Sequence, residues 1–213
     1  MPCSGKEELI AAAVSRLVAF RLEVLAIGET ETEKEAAEAG GGRFLYFNNP
    51  SLYGKIQLGL DTICNGGFAE FVIILSPQAW INQEYIDCLE KECPPGGAAI
   101  SNLTYHLHIS NGDFSAFQSR DAADFGIDGW LFPISTLHYL GWIIADCDAP
   151  VNTAIPRRLG YNGREVKIIS GPPKLKIYSS FWDEELTGLR SINQPLDLPA
   201  VKRLFPDAFS LFK

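Results

Sequence analysis

The stretch from residue 43 to residue 110 constrains the fold most, because apolar runs and helix signals alternate there in strict order. Arg43-Phe-Leu-Tyr-Phe47 is a short continuous apolar run, as a strand covered on both faces should be. Asn49 offers a helix cap and Pro50 a first helical residue, and Leu52, Tyr53, Ile56, Leu60 and Ile63 then form one apolar face. Asn65-Gly66-Gly67 stops that helix, and Phe68 to Leu75 is the next strand. Ser76-Pro77 repeats the cap-then-proline signal, so a helix presenting Ile81, Tyr85, Cys88 and Leu89 is expected to follow and to end at Pro94-Pro95. Leu103 to Ser110 is the third strand. Strand, helix, strand, helix, strand at these lengths predicts parallel strands joined by right-handed crossovers.

The flanks are read in the same way. Ser4 and Glu7 have capping-box spacing, and Leu9, Ile10, Ala13, Val14, Leu17 and Val18 place one apolar stripe on a helix. Leu22 to Ile27 predicts a strand, and the five glutamates from Glu29 to Glu38 a solvated helix or loop. Trp130 to Ala145 is aromatic-rich and predicts a buried segment. Arg164 to Ser170 and Lys174 to Ser179 predict a hairpin across Gly171-Pro172-Pro173, with helices expected at Trp182 to Leu189 and from Asp197-Leu-Pro199 to before Pro206. The expected fold class is therefore α/β: a mainly parallel sheet with flanking helices, plus a C-terminal β-hairpin and helix. At 213 residues and 46% hydrophobic, the chain is expected to form one domain with a real core.

Charge divides that expected domain at residue 150. Residues 1–150 hold 8 basic and 20 acidic side chains, a balance of −12, and residues 151–213 hold 10 basic and 6 acidic, a balance of +4. An acidic body with a mildly basic tail packed on it is the simplest arrangement of such halves. The net charge of −8 argues against a globally basic nucleic-acid binder, leaving the tail's hairpin as the one place where nucleic acid could be held. Arg16, Arg21 and Glu23 interrupt the first apolar stretch, which is neither a signal sequence nor a membrane span. Five cysteines without framework spacing fit reduced thiols and a cytoplasmic location.

Three groups of residues could carry chemistry. In Tyr105-His106-Leu107-His108-Ile109-Ser110, His106 and His108 fall on one strand face and could chelate one divalent metal such as Zn, with Asp146 or Asp148 completing the shell or acting as base. Arg157, Arg158, Arg164, Lys167, Lys174 and Lys176 could bind an anion from the basic hairpin. Asn48, Asn49, Ser76, Ser110, Asn111 and Asp113 follow the expected parallel strands, where open sheets bind ligands. No Gly-x-Gly-x-x-Gly, P-loop or Gly-x-Ser-x-Gly sequence is present.

Two functional expectations follow. The first is a non-catalytic intracellular accessory protein, without cofactor, that holds another protein. The alternative is a metal-dependent hydrolase acting on a phosphate-containing substrate, with His106 and His108 as ligands, Asp146 or Asp148 beside them, and the basic hairpin gripping the anion.

Overall fold

A computed structural model describes residues 1–3, 7–66, 69–110, 113–119, 127–145, 151–179 and 194–211. Helix α1 (Glu7–Ala19) buries Leu9, Ile10, Ala13, Val14 and Leu17, most of the stripe its spacing predicts. Ser4, the expected cap, lies outside the described residues. Strand β1 (Leu25–Gly28) follows, then helix α2 (Glu31–Ala39) and strand β2 (Arg43–Tyr46), which pairs with β1 in parallel. The glutamate-rich segment is thus a helix, and its cap explains why. The Thr30 hydroxyl accepts from the Glu33 N–H at 3.2 Å, while the Glu33 carboxylate accepts from the N–H groups of Glu29 and Thr30. Glu33 is buried by that role; Glu31, Glu35 and Glu38 stay exposed.

Helix α3 (Leu52–Gly66) and strand β3 (Phe71–Ile74) come next, but α3 starts after the expected Asn49-Pro50 signal, and the Ser51 hydroxyl rather than Asn49 accepts from its first turn, from the Gly54 N–H at 3.1 Å. Ser76-Pro77 does not start a helix. It leads into the two-residue strand β4 (Ala79–Trp80), and helix α4 (Gln83–Glu92) starts later, where the Asn82 side chain accepts from the Tyr85 N–H at 2.9 Å. Strand β5 (Ala98–Ser101) then runs almost directly into β6 (Thr104–Ser110), which is followed by β7 (Asp113–Ser119), β8 (Trp130–Pro133), α5 (Ile134–Tyr139) and α6 (Val151–Tyr161). Strands β9 (Val166–Ile169), β10 (Lys174–Ser179) and β11 (Gln194–Pro195) precede helix α7 (Leu198–Leu204) and a 3-10 turn over Pro206–Phe209. The helix expected at Trp182 to Leu189 lies outside the described residues.

The sheets are mixed, which corrects the expectation of a mainly parallel one. A four-stranded sheet has the order β3-β8-β5-β9, with β8 antiparallel to β3 and β5, and β9 parallel to β5. Strands β3, β5 and β9 therefore run in one direction. A five-stranded sheet has the order β11-β7-β6-β10-β4, in which β6–β10 is the parallel pair. The expected hairpin of residues 164–179 does not form. Its two arms lie in different sheets, β9 beside β5 and β10 beside β6, so the pair β5–β9 continues past a bend as the pair β6–β10. The Gly171-Pro172-Pro173 segment accommodates that bend and reverses nothing. Residues 166–179 are thereby woven into both sheets.

Alternation along the strands feeds separate cores. Ala98, Ile100, Trp130 and Phe132 point to one side of the four-stranded sheet, against Ile56 and Leu60 of α3, Leu137 of α5, and Ala154, Ile155 and Leu159 of α6. Ala99, Leu131 and Ile169 point to the other, against Ile10 and Val14 of α1 and Tyr85, Ile86 and Leu89 of α4. In the five-stranded sheet Leu107, Ile109, Leu175 and Ile177 pack on Val201 and Phe205 at the C-terminal helix. That leaves the opposite face of this second sheet to polar side chains. No helix among the described residues is long and apolar enough to cross a membrane.

Candidate functional site

Strands β3, β5 and β9 all end at one edge of the four-stranded sheet, and β8 begins there. Asp128 stands two residues before β8, at the point where β3 finishes in Ile74 opposite Trp130. Its carboxylate is held from the β3 side, because the Ser76 N–H donates to Oδ1 at 2.5 Å. Two cations of β10 arrive at the same residue. Lys174 Nζ donates to the Asp128 carbonyl at 2.8 Å, and Lys176 Nζ stands 3.6 Å from Oδ2. Lys174 is fully buried, and the Asp128 and Lys176 side chains are 7% and 20% exposed.

The polar face of the five-stranded sheet continues from that cluster. The parallel register sets Lys176 beside His106 and Tyr178 beside His108, and the antiparallel one sets Phe117 opposite His106. The His106 ring is stacked on Phe117, with centroids 4.6 Å apart. Its Nδ1 shares a hydrogen bond with the Tyr178 hydroxyl at 3.1 Å, and its Nε2 with the Ser119 hydroxyl at 2.8 Å. Burial, and next the neighbouring Lys176 and Lys174, lower the His106 pKa to about 3. The imidazole is accordingly neutral at pH 7, one nitrogen donating and the other accepting.

The comparisons with known proteins add little to this. No protein-family model and no curated protein matches the sequence. The structure is similar to the solved structure of CMP:2-keto-3-deoxy-manno-octonic acid synthetase complexed with CTP, with a TM-score of 0.48 and 14% identity over 95% of this chain and 86% of that one. That neighbour is an enzyme, and the expectation of a non-catalytic accessory protein is corrected accordingly and is not carried further. At this identity and score the likeness says nothing about which residues act or on what.

The residues expected from sequence are distributed unevenly over the structure. His106 and His108 do share a face, as strand geometry requires, and both are buried. Each His106 nitrogen already meets a hydroxyl, so a metal there would have to displace Tyr178 or Ser119. Among the described residues no group of three or more His, Cys, Asp or Glu side chains could hold a metal, and Asp146 and Asp148 lie outside them.

The six cations do not form one patch. Lys174 and Lys176 meet Asp128, and Lys167 lies 3.9 Å from Glu92. Arg157, Arg158 and Arg164 gather around α5 and α6, where Arg157 stacks on Tyr161, Arg158 reaches the Leu140 carbonyl and Arg164 stacks on Tyr139. Of the strand-end polar residues, Ser76 is part of the Asp128 cluster through its backbone. The Asn49 side chain instead accepts from the Ser51 N–H at the start of α3, Asn48 adjoins it after β2, and Asp113 is exposed at the start of β7. Ser110 closes β6, and Asn111 lies outside the described residues.

Asp128 and Ser119 are the site residues that sequence reasoning missed. Asp128 had one usable signal, a lone acid two residues before an apolar strand, whose N-terminal end must sit at the carboxyl edge of antiparallel neighbours. Ser119 had none, because only the β6–β7 pairing brings it to His106.

Proposed function

We propose that this chain is an enzyme acting on a small phosphate-bearing substrate, bound at the carboxyl edge of β3, β5 and β9. The observation that carries the reading is the convergence of Lys174 and Lys176 on Asp128 at that edge. Open α/β sheets bind ligands beyond the carboxyl ends of parallel strands. A buried titratable group with a lowered pKa, such as His106, is a further mark of such sites. Lys176, the more exposed ammonium, meets the anion. Asp128 holds Lys176 in place, and the Ser76 N–H fixes Asp128 in turn. Neutral His106, oriented by Tyr178 and Ser119, adds hydrogen bonding without adding charge.

The test is calorimetric titration with nucleoside triphosphates, nucleotide sugars and sugar phosphates, run on the wild type and on Lys176→Ala. The expected result is saturable binding of at least one class, weakened at least tenfold in the variant. Absence of binding across the panel, or equal affinity in the variant, sinks the proposal.

A further inference from the structure

Strands β1 and β2 form a parallel pair whose two edges differ. The β1 edge is closed by the start of the chain, where the Cys3 N–H donates to the Ile27 carbonyl at 2.7 Å and the Ile27 N–H to the Met1 carbonyl at 2.9 Å. Beyond β2 no further strand pairs among the described residues. The N–H groups of Arg43 and Phe47 donate inward, to the Val24 and Gly28 carbonyls, so alternation turns the N–H and C=O groups of Phe44 and Tyr46 outward. Among the described residues no backbone group bonds to those outward groups. The strand and its exit, Phe44, Leu45, Tyr46 and Phe47, are apolar on both faces, and none of the four is buried. Tyr46 is 52% exposed. Edge strands that stay single are guarded by lysine, proline, a bulge or a covering loop. Only Arg43 carries charge here, at the very start of the strand, and among the described residues it has no carboxylate within 4.0 Å.

From this edge we infer that β2 pairs antiparallel with β2 of a second copy of this chain, around a two-fold axis at Leu45. In that register Phe44 exchanges backbone hydrogen bonds with the second copy's Tyr46, and Tyr46 with the second copy's Phe44, so the outward groups satisfy one another. The Phe44 and Tyr46 rings already meet edge to face, 5.1 Å between centres, and the pairing extends that aromatic row across the axis. Charge favours a second copy over an unrelated strand. Arg43 comes level with the second copy's Phe47, and the parallel β1–β2 register carries that level on to its Glu29. Phe47 and Glu29 both lie on the α3 side, Phe47 against Gly54 and Glu29 in its ion pair with Lys55. Alternation puts Arg43 on that side too, with Leu45 and Phe47. Two strand spacings are about 10 Å, a gap that an arginine and a glutamate side chain span together. The Glu29 side chain is 34% exposed and so within reach of the guanidinium.

The experiment is sedimentation velocity on the full chain from about 1 to about 500 μM, with Tyr46→Pro and Arg43→Glu beside the wild type. The paired strands are short, so the wild type is expected to dimerise with a dissociation constant on the order of 10 μM. Tyr46→Pro removes an outward N–H that β1 does not use, and Arg43→Glu brings like charges together at Glu29. Each is expected to weaken the dimer by about tenfold or more, and melting curves at the lowest concentration confirm that both are folded. The register has its own readout. In a Cys64→Ser chain, Leu45→Cys is expected to form a disulfide-linked dimer under air oxidation, because the two thiols meet on the axis, whereas Arg43→Cys stands far from its own counterpart and is not. Several results overturn the inference: a wild type that stays monomeric throughout or grows beyond a dimer, a dimer undiminished in folded Tyr46→Pro and Arg43→Glu, or Leu45→Cys cross-linking no better than Arg43→Cys. None of these residues belongs to the cluster at Asp128, so the reading of that edge stands or falls separately.

Discussion

Arg16 and Asp207 are 191 positions apart in sequence, yet the Arg16 Nη1 lies 2.7 Å from the Asp207 Oδ2. The pair joins the first helix to the 3-10 turn near the end of the chain. It is lopsided: the Arg16 side chain is 9% exposed and that of Asp207 is 68% exposed. Arg16 also donates from Nε to the Ile81 carbonyl at 3.0 Å, and its guanidinium lies over the rings of Phe20, Trp80 and Phe205.

That asymmetry predicts unequal mutants. Asp207→Asn removes a screened, exposed partner and is expected to cost under about 1 kcal/mol. Arg16→Ala removes the aromatic stacking and the buried aliphatic stem, and leaves the Ile81 carbonyl short of a donor, for about 2–4 kcal/mol. Urea unfolding of both variants checks this, and equal losses would show that the ion pair alone joins the two ends.

Tyr85 and Gly129 lock the turn that presents Asp128. The Tyr85 hydroxyl, fully buried, donates to the Gly129 carbonyl at 3.0 Å. Gly129 has φ +88°, and a Cβ there would collide with that same hydroxyl. Tyr85→Phe should therefore cost about 1–2 kcal/mol by leaving a buried carbonyl unpaired. Gly129→Ala should cost more, through both the left-handed backbone and the clash. Denaturation midpoints rank the two, and a Gly129→Ala protein as stable as the wild type would show that the turn is not constrained as described.

Lys55 is buried on α3, with its Nζ 2.6 Å from the Cys3 carbonyl and 2.7 Å from the Glu29 carboxylate. Glu29 is the more accessible partner, its side chain 34% exposed against 4% for Lys55. Lys55→Met replaces a buried cation with an apolar chain of similar shape, while water reaches the carboxylate left behind. Glu29→Gln instead strands the buried ammonium without its counter-charge. Glu29→Gln is expected to be the more damaging, by about 1–3 kcal/mol beyond Lys55→Met. Thermal unfolding of the two single variants decides it, and the reverse order contradicts the argument.

Local signals were legible where one element decides its own shape. The α1 stripe, the Ile56 and Leu60 face of α3 and the last helix, which starts after Asp197 and stops before Pro206, follow from spacing and prolines within a few residues, whereas the Arg43 strand forms but is exposed at Arg43 and Tyr46 rather than covered on both faces. Ser76-Pro77 misled because the same pair that can open a helix can also turn a chain leaving a strand. Arg164 to Ser179 misled for a longer-range reason. Two strands separated by glycine and prolines form a hairpin in isolation, but here β5 and β6 offered each of them a partner in a different sheet. The site was half-legible on the same grounds. Period-two alternation placed His106 beside His108, and Lys174 beside Lys176. That Lys176 would stand next to His106, and both lysines next to Asp128, depends on a register between strands 70 residues apart, which no local pattern encodes.

His106 makes that register measurable through pH. Its pKa in the folded chain is lowered to about 3, by burial first and then by Lys176 and Lys174, against about 6.5 in the unfolded chain. Between those values the unfolded chain binds the proton and the folded one does not, so stability rises with pH across the window. The contribution is complete above about pH 6.5 and is lost as pH falls toward 3, with a slope on the order of 1 kcal/mol per pH unit. Phe117, Tyr178 and Ser119 face the ring as well, and none of them changes charge in this range. His106→Gln keeps a neutral polar side chain and removes the titration. Urea midpoints of the two proteins at pH 7, 6, 5 and 4 should therefore converge as pH falls, with the wild type losing stability faster. Parallel curves would place an ordinary, solvated histidine at position 106 and undo the buried hydrogen-bonded geometry described for it.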